Sequence, residues 1–427
     1  MSSSCNPTAF SQTGHGLDGL QAAADLAPRP VALLTAGRDK PYALGLASAL
    51  VQAGISFDFI GSDLVDGPEL HDNPMVRFLK MRDQQADAGL VEKIARIIRY
   101  YARLFLYACR AKPRLFHLLW NNKIEWFDRT ILMLYYRLLR KKIVLTVHNV
   151  NAGRRDETDS AFNRMTLRTQ YKLTDHLFVH TAKMKDELIR DFAIPDSRVT
   201  VIPFGINNTV PNTTLSSAEA KRRLGLRRQK TMLFFGNIAP YKGLEFLVSA
   251  FEELAAKQDY VLVIAGAPKW TEEYWSKVKA MIDRSEVRDR IIQRIEYVPD
   301  AETEVYFKAT DVLVLPYTHV FQSGVLFLSY SFGLPAIVTD VGSLKEEVVQ
   351  GETGFVCPPC DAGSLARTIA GYFESELFHQ LEQRRPDIKK YANERYSWAR
   401  VADLTTEVYS RLLTNCPASV ADEAVAV

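Results

Sequence analysis

Residues 319–340 read HVFQSGVLFLSYSFGLPAIVTD. Gln322-Ser323-Gly324 is a short polar turn, VLFLSYSF is an apolar run of helical length, and Gly333-Leu334-Pro335 leads into the β-branched PAIVT. Turn, buried helix, glycine stop and strand together form one αβ step of a parallel sheet. Ser323 and Gly324 then lie where exposed backbone N–H groups can cradle phosphate oxygens. The same residues also read as a plain serine N-cap on a buried helix.

Working outward, EYVPDAETEVYFKATDVLVLPY (296–317) gives a strand, an acidic turn, a helix and a strand. FFGNIAPYKGLEFLVSAFEEL (234–254) gives a strand, a polar turn with Lys242-Gly243, and an amphipathic helix. A glycine at a strand end admits close backbone approach to a ligand, and a helix N-terminus favours an anion. On these residues alone Lys242 reads equally as a cation facing a diphosphate or as a surface lysine on a βα loop. Further strands are expected at VALLT, SFDFI, LFHLL, IVLTV, HLFVH and VTVIP in the first half. TMLFFG, YVLVIAG, RIIQRIEYV, DVLVLP and PAIVT follow in the second, and GETGFV reads as strand and turn.

Between the two series, FGINNTVPNTTLSSAEA is polar and reads as a linker. The expected fold is α/β, with two Rossmann-like doubly wound domains facing across a cleft. The divisions are a tail at 1–28, a first domain at 29–205, a linker at 206–225, a second domain at 226–395, a closing helix at 396–414 and a tail at 415–427. GHGLDG in the first tail fits a dinucleotide pattern at Gly14, Gly16 and Gly19, but no strand precedes it.

Composition is ordinary for a globular chain: 427 residues, 47% hydrophobic and 24% charged. The N-terminus shows no secretory pattern, and no apolar run reaches the ~18–20 residues that span a bilayer. The sequons at Asn207 and Asn212 therefore carry little weight. Five cysteines form no disulfide framework, which suggests a reducing compartment. Cys357-Pro-Pro-Cys360 has redox spacing but follows a strand and turn rather than opening a helix. Cytoplasmic localisation is expected. Residues 91–142 hold thirteen Lys or Arg against three acids, a balance of 13 − 3 = +10 within a total of +3. KIARIIRYYARLFLYACRAKPR sets apolar and basic residues on separate helical faces, as an interfacial helix on anionic lipid does. A surface helix packed on the sheet reads equally well. No nucleic-acid motif accompanies the charge, so no nucleic-acid partner is expected.

In order, FGNIAPYKG, YVPDAETEVYFKATDVLVLPY, SGVLFLSYSFGLPAIVTDVGSLKEEV and GETGFVCPP resemble the retaining family 4 glycosyltransferases of the GT-B fold. VTVIPFGIN resembles their hinge and YSWARVADLTTEVYSRLL their closing helices. The resemblance covers roughly residues 30–412 and is most specific in the second half. It implies a nucleoside-diphosphate sugar held mainly by the C-terminal lobe, as co-substrate, with no cofactor and no metal required. Lys242 matches the diphosphate lysine, and Gly236 and Gly243 flank it. The partner arginine falls on Asn237. Ser323, Gly324 and Val325 match the loop that holds the distal phosphate. Ile295, Tyr297 and Val298 match the strand edge that meets the base, and Glu346 matches the glutamate of the "GSLKE" turn. His148 matches a histidine facing the donor sugar, and Asn149, Arg154 and Arg155 border the acceptor side.

The sequence also departs from that pattern. The paired glutamates of the family fall on Val320 and Leu328, and Gln322 is the substitute for the first, with Tyr317 and His319 as further sugar contacts. His148, Lys242 and Gln322 are the catalytic candidates. Asp156, Glu157 and Asp159 read as solvated loop charges ahead of a base for an inverting reaction. His176 and His180 have metal-ligand spacing but lie in an alternating strand, so a zinc site is not expected. The implied activity is hexosyl transfer to a glycan or lipid-linked saccharide in polysaccharide or glycolipid synthesis, with peripheral contact at the inner face of the cytoplasmic membrane. A GT-B nucleotide-sugar epimerase fits the hinge, YKG segment and closing helices less well. A non-catalytic sugar-nucleotide binder fits Asn237 and the missing glutamates.

Overall fold

The computed structural model describes residues 29–83, 89–156, 158–206, 210–256, 258–269 and 272–414. The expected tails, with the Gly14, Gly16 and Gly19 match, lie outside them, as do Asn207, Glu157 and the side chain of Arg155.

Seven parallel strands build the N-terminal sheet: β1 (Val31–Leu34), β2 (Phe57–Ser62), β3 (Val76–Arg82), β4 (Leu115–Leu118), β5 (Lys142–Val147), β6 (His176–Val179) and β7 (Val199–Val201). Their order is β3-β2-β1-β4-β5-β6-β7. Most are buried along their length, as expected where helices cover both faces of a parallel sheet. Helix α1 (Lys40–Gln52) covers one face. Helix α2 (Leu90–Arg110), helix α3 (residues 125–138, with a π-wound turn at Asp128–Leu132), α4 (Ala161–Leu173) and α5 (Ala182–Phe192) cover the other. Strand β3 was not among the expected strands. Its sequence, VRFLKMR, carries three basic residues on a sheet edge and so shows no apolar run.

The C-terminal sheet has six parallel strands in the order β10-β9-β8-β11-β12-β13. They are β8 (Lys230–Phe235), β9 (Tyr260–Ala265), β10 (Ile291–Arg294), β11 (Val312–Leu315), β12 (Ala336–Thr339) and β13 (Gly354–Cys357). Between the lobes, the expected linker contains helix α6 (Ser217–Arg223). Ser216 Oγ accepts from Glu219 N, and the Ser-x-x-Glu spacing is that of a capping box. Helices α7 (Leu244–Ala255), α8 (Asp300–Ala309), α9 (Gly324–Ser331) and α10 (Ala362–Glu374) pack on this sheet. Strand β10 stops at Arg294, where its partner β9 ends at Ala265, so Ile295–Val298 leave the ladder instead of extending it. Cys357 ends β13 and Cys360 lies in the turn before Asp361 caps α10, so the pair follows a strand and turn and does not open the helix, as expected. Burial pushes the Cys357 thiol up to about 11, the reverse of an activated thiolate.

Helix α11 (Trp398–Thr414) returns to the N-terminal lobe and packs beside α1. Val401, Val408 and Tyr409 join that lobe's core, and the Tyr409 hydroxyl meets His117 Nδ1 at 2.5 Å. The Trp398 indole fills a slot between Gly45 and Gly205, where a Cβ on either glycine would lie 2.3 Å from the ring.

Candidate active site between the lobes

Each sheet reverses its strand order beside its first strand, between β1 and β4 and between β8 and β11. In open α/β sheets ligands bind beyond the strand ends at such points. Here the two reversals share one cavity of about 430 Å³. The N-terminal lobe contributes Asp39, Pro41 and Tyr42 after β1 and Asn149 after β5. The C-terminal lobe contributes Asn237, Tyr241 and Lys242 after β8, and Tyr317, Val320 and Gln322–Val325 after β11. Phe204, Gly205, Leu328 and Trp398 complete the wall.

The strand-end turn of β8 aims Lys242 inward. Gly243 has φ 60°, and a Cβ there would sit 2.1 Å from the Pro316 carbonyl oxygen, so only glycine lets the turn pack on β11. Lys242 is buried and its Nζ donates to the Tyr317 hydroxyl at 2.9 Å, lying 4.8 Å from that ring's centroid. Tyr317 Oη in turn lies 3.4 Å from Ser323 Oγ. Burial raises the Tyr317 hydroxyl far above its ordinary pKa, so it stays a neutral dipole. Ser323 holds the N-cap position of α9 without its side chain capping the helix. The first amides of α9, at Gly324 and Val325, have no carbonyl one turn earlier in the helix to bond. Gly236 sits 3.5 Å below the Lys242 ammonium, measured from where its Cβ would be. An ammonium, a hydroxyl and a helix N-terminus thus converge, a combination suited to phosphate oxygens.

Val320 and Leu328 both line this cavity, so the two positions that carry carboxylates in the resembled family are apolar wall here. Gln322 stands between them with its amide N and O buried, close to the Glu347 carboxyl. Glu347 is buried and accepts from the Tyr396 hydroxyl. Burial raises its carboxyl above the usual range, opposed by Tyr396, Arg395 and Gln322.

The remaining expected site residues lie elsewhere. His148 stacks on Trp120 at 4.4 Å and meets His180 Nε2 through its Nδ1 at 3.1 Å. Tyr42 stands against it at 4.8 Å and lines the cavity where His148 does not. Burial and the neighbouring His180 hold the His148 imidazole well below its ordinary pKa, so it is neutral. Arg154 is tied to Glu187 at 3.1 Å and Asp191 at 2.8 Å, away from the cavity. Glu346 faces Lys183 of α5 at 3.1 Å and ties the two lobes on another side. Tyr297 is exposed, Val298 is buried, and with Ile295 they lie outside the cavity lining. His176 bonds Thr200 at 2.8 Å, and His319 lies on the surface near Lys183. Tyr42, Tyr241, Phe204 and Trp398 were not anticipated as wall. Asp39-Lys40-Pro41-Tyr42, directly after β1, was the available signal, because the switch-point rule names that turn.

The sequence profile of "Glycosyl transferases group 1" matches residues 216–395, and that of "Glycosyltransferase Family 4" matches residues 41–209. An uncharacterised glycosyltransferase of Methanocaldococcus jannaschii is 24% identical over 67% of this chain and 73% of its own. A D-inositol 3-phosphate glycosyltransferase of Corynebacterium efficiens is 24% identical over 68% and 70%. Among solved structures, sucrose-phosphate synthase from Thermosynechococcus elongatus superposes with a TM-score of 0.72 at 19% identity, covering 91% of this chain and all of that one. Anabaena HepE in complex with UDP-glucose gives 0.68 at 14%, covering 89% and 99%. Two parallel-sheet lobes, a shared switch-point cavity and two family profiles covering most of the chain agree: this chain belongs to the family 4-like, group 1 glycosyltransferases of the GT-B fold.

Proposed function

We propose that the cleft transfers a sugar from a nucleoside-diphosphate sugar to a saccharide or lipid-linked saccharide hydroxyl, with retention and without a required metal. The observation that carries this is the Lys242–Tyr317–Ser323 cluster at the N-terminus of α9. As the bond between the sugar C1 and the β-phosphate oxygen breaks, negative charge grows on that phosphate. Lys242, the Gly324 and Val325 amides and the α9 dipole stabilise it in place, and such preorganised donors supply much of a transferase's rate. The departing phosphate oxygen takes the acceptor hydroxyl's proton while the acceptor oxygen bonds C1 on the same face. That step needs no protein base near C1, and His148, neutral and behind Tyr42, acts through packing. HepE binds UDP-glucose according to its structure, and a uridine sugar is the first donor to try.

A second reading, a sugar-nucleotide binder without turnover, is favoured by Leu328 in the cavity wall and Asn237 beside Lys242. Hydrolysis of a UDP- and GDP-sugar panel in the presence of a chelator separates the two. The transferase reading expects slow hydrolysis that Lys242→Ala abolishes, with the product anomer retained by NMR. Thermal stabilisation by a donor with no hydrolysis would install the binder in its place, and an inverted product would remove the retaining mechanism.

A further inference from the structure

Fourteen large hydrophobic side chains are exposed among the described residues, and eleven of them fall on three helices, α2, α3 and α4. These helices are neighbours on one face of the N-terminal sheet. Tyr101 meets Phe127 at 5.2 Å, Phe105 meets Tyr135 at 4.5 Å, and Arg129 bonds Asn163 at 2.9 Å. Their outer surfaces therefore join into one apolar face, with Ile94, Ile98, Trp126, Ile131, Leu134 and Phe162 exposed by about half or more. Scattered exposed hydrophobics need no explanation, but a contiguous set does.

Charge says what covers this face. Among the described residues of the three helices the acids are Glu92, Glu125 and the buried Asp128, and the first two each pair with an arginine one turn on. Lys93, Arg99, Arg103 and Arg110 are exposed on α2, and Arg140 just beyond α3. A second copy of this chain seated on the same face by a two-fold axis would set this positive fringe against itself, which costs affinity. An apolar stripe with a cationic rim and a tryptophan fits an anionic lipid surface, with side chains in the acyl boundary and cations at the headgroups.

We propose that the α2–α3–α4 face docks on an anionic bilayer. The strands are parallel and each helix runs back against them, so the first half of each helix lies by the strand ends that open into the cleft. Ile94, Ile98, Trp126, Ile131 and Phe162 all lie in those first halves. The docked face therefore borders the cleft mouth and presents it to lipid-borne acceptors. The acceptor class rests on the transferase reading above, whereas the docking itself does not.

The test uses the full chain with vesicles of phosphatidylcholine alone and of equal parts phosphatidylcholine and phosphatidylglycerol. Binding is expected to the second and to be weak for the first. Ile98→Ser, Trp126→Ser and Leu134→Ser combined should weaken it by roughly 10- to 100-fold with the melting curve intact, since all three side chains are exposed. Arg99→Glu with Arg103→Glu should remove the preference for phosphatidylglycerol. Failure to sediment with anionic vesicles overturns the proposal. So does binding that the triple serine variant leaves unchanged, or a dimer that this variant dissociates. Thermal shifts by the UDP- and GDP-sugar panel, recorded on the same proteins, should be equal in wild type and triple variant. A wild type with no donor shift but intact vesicle binding would strike the transferase reading and leave the docking standing.

Discussion

The N-terminal lobe encloses His117, His148, His176 and His180, whereas the histidines of the C-terminal lobe, His319 and His379, stay at the surface. The C-terminal lobe instead buries a lysine, Lys242, against a tyrosine hydroxyl at the cavity. Two sheets of the same architecture thus spend their polar interior differently. One keeps neutral imidazoles packed among aromatic rings, and the other keeps a cation ready for an anion. The comparison accounts for why the lobe that holds the buried cation is written in local strand-end turns and the lobe that packs its imidazoles is not.

Acid should separate the lobes most. Burial lowers His117 to about 3 and His180 to about 4, and holds His148 well below its ordinary value. Each is neutral when folded and charges near pH 6.5 when unfolded, so the unfolded state binds more protons below that pH. Stability is complete above about 6.5 and falls as pH drops. Three such groups remove about 4 kcal/mol by pH 5.5. Denaturation curves and peptide-level hydrogen exchange at pH 7.5 and 5.5 should show the loss in the N-terminal lobe. A pH-independent stability, or a loss confined to the C-terminal lobe, would erase the contrast.

Next in size is Lys242→Ala, expected to lower donor turnover about 100- to 1,000-fold, or about 3–4 kcal/mol of transition-state stabilisation. A loss of less than threefold in steady-state kinetics would take the cation out of the mechanism. Gly205→Ala places a methyl carbon 2.3 Å from the Trp398 ring. Overpacking of that kind costs about 1–3 kcal/mol, and the cost should appear as faster exchange in α11. Smallest is Lys183→Ala. Its bridge to Glu346 joins the lobes through half-exposed side chains, and such pairs contribute about 0–1 kcal/mol. A melting shift of several degrees would mean that this contact, not Trp398, fixes the lobes together.

Legibility in the sequence followed the same division. Lys242, Asn237, Gln322 and Ser323–Val325 line the cavity because each is placed by a short strand-end turn, and a turn is a local signal. The aromatic wall was hidden because Tyr42, Phe204 and Trp398 come from three distant parts of the chain, and only the fold brings them within 5.4 Å of one another as ring pairs on Tyr42. Strand β3 was hidden by its charges. Helix α6 was hidden by composition, since Pro, Asn and Ser just before it read as linker although Ser216 and Glu219 spelled out its cap. Glu346 and Ile295–Val298 were matched by motif position; Glu346 pairs with Lys183, and none of them lines the cavity.

The seat of Trp398 has a consequence for how the chain is made. Gly205 leaves the ribosome 193 residues before Trp398, its partner in the slot. At about 5–20 residues per second that interval is roughly 10–40 s. Throughout it, the face of the first lobe that Val401, Val408 and Tyr409 will cover is without its cover. The last helix of the described residues thus completes the lobe whose synthesis began first. Released chains truncated before Trp398 should be cut by protease in the first lobe faster than the full chain is, and equal resistance would show that the first lobe closes unaided.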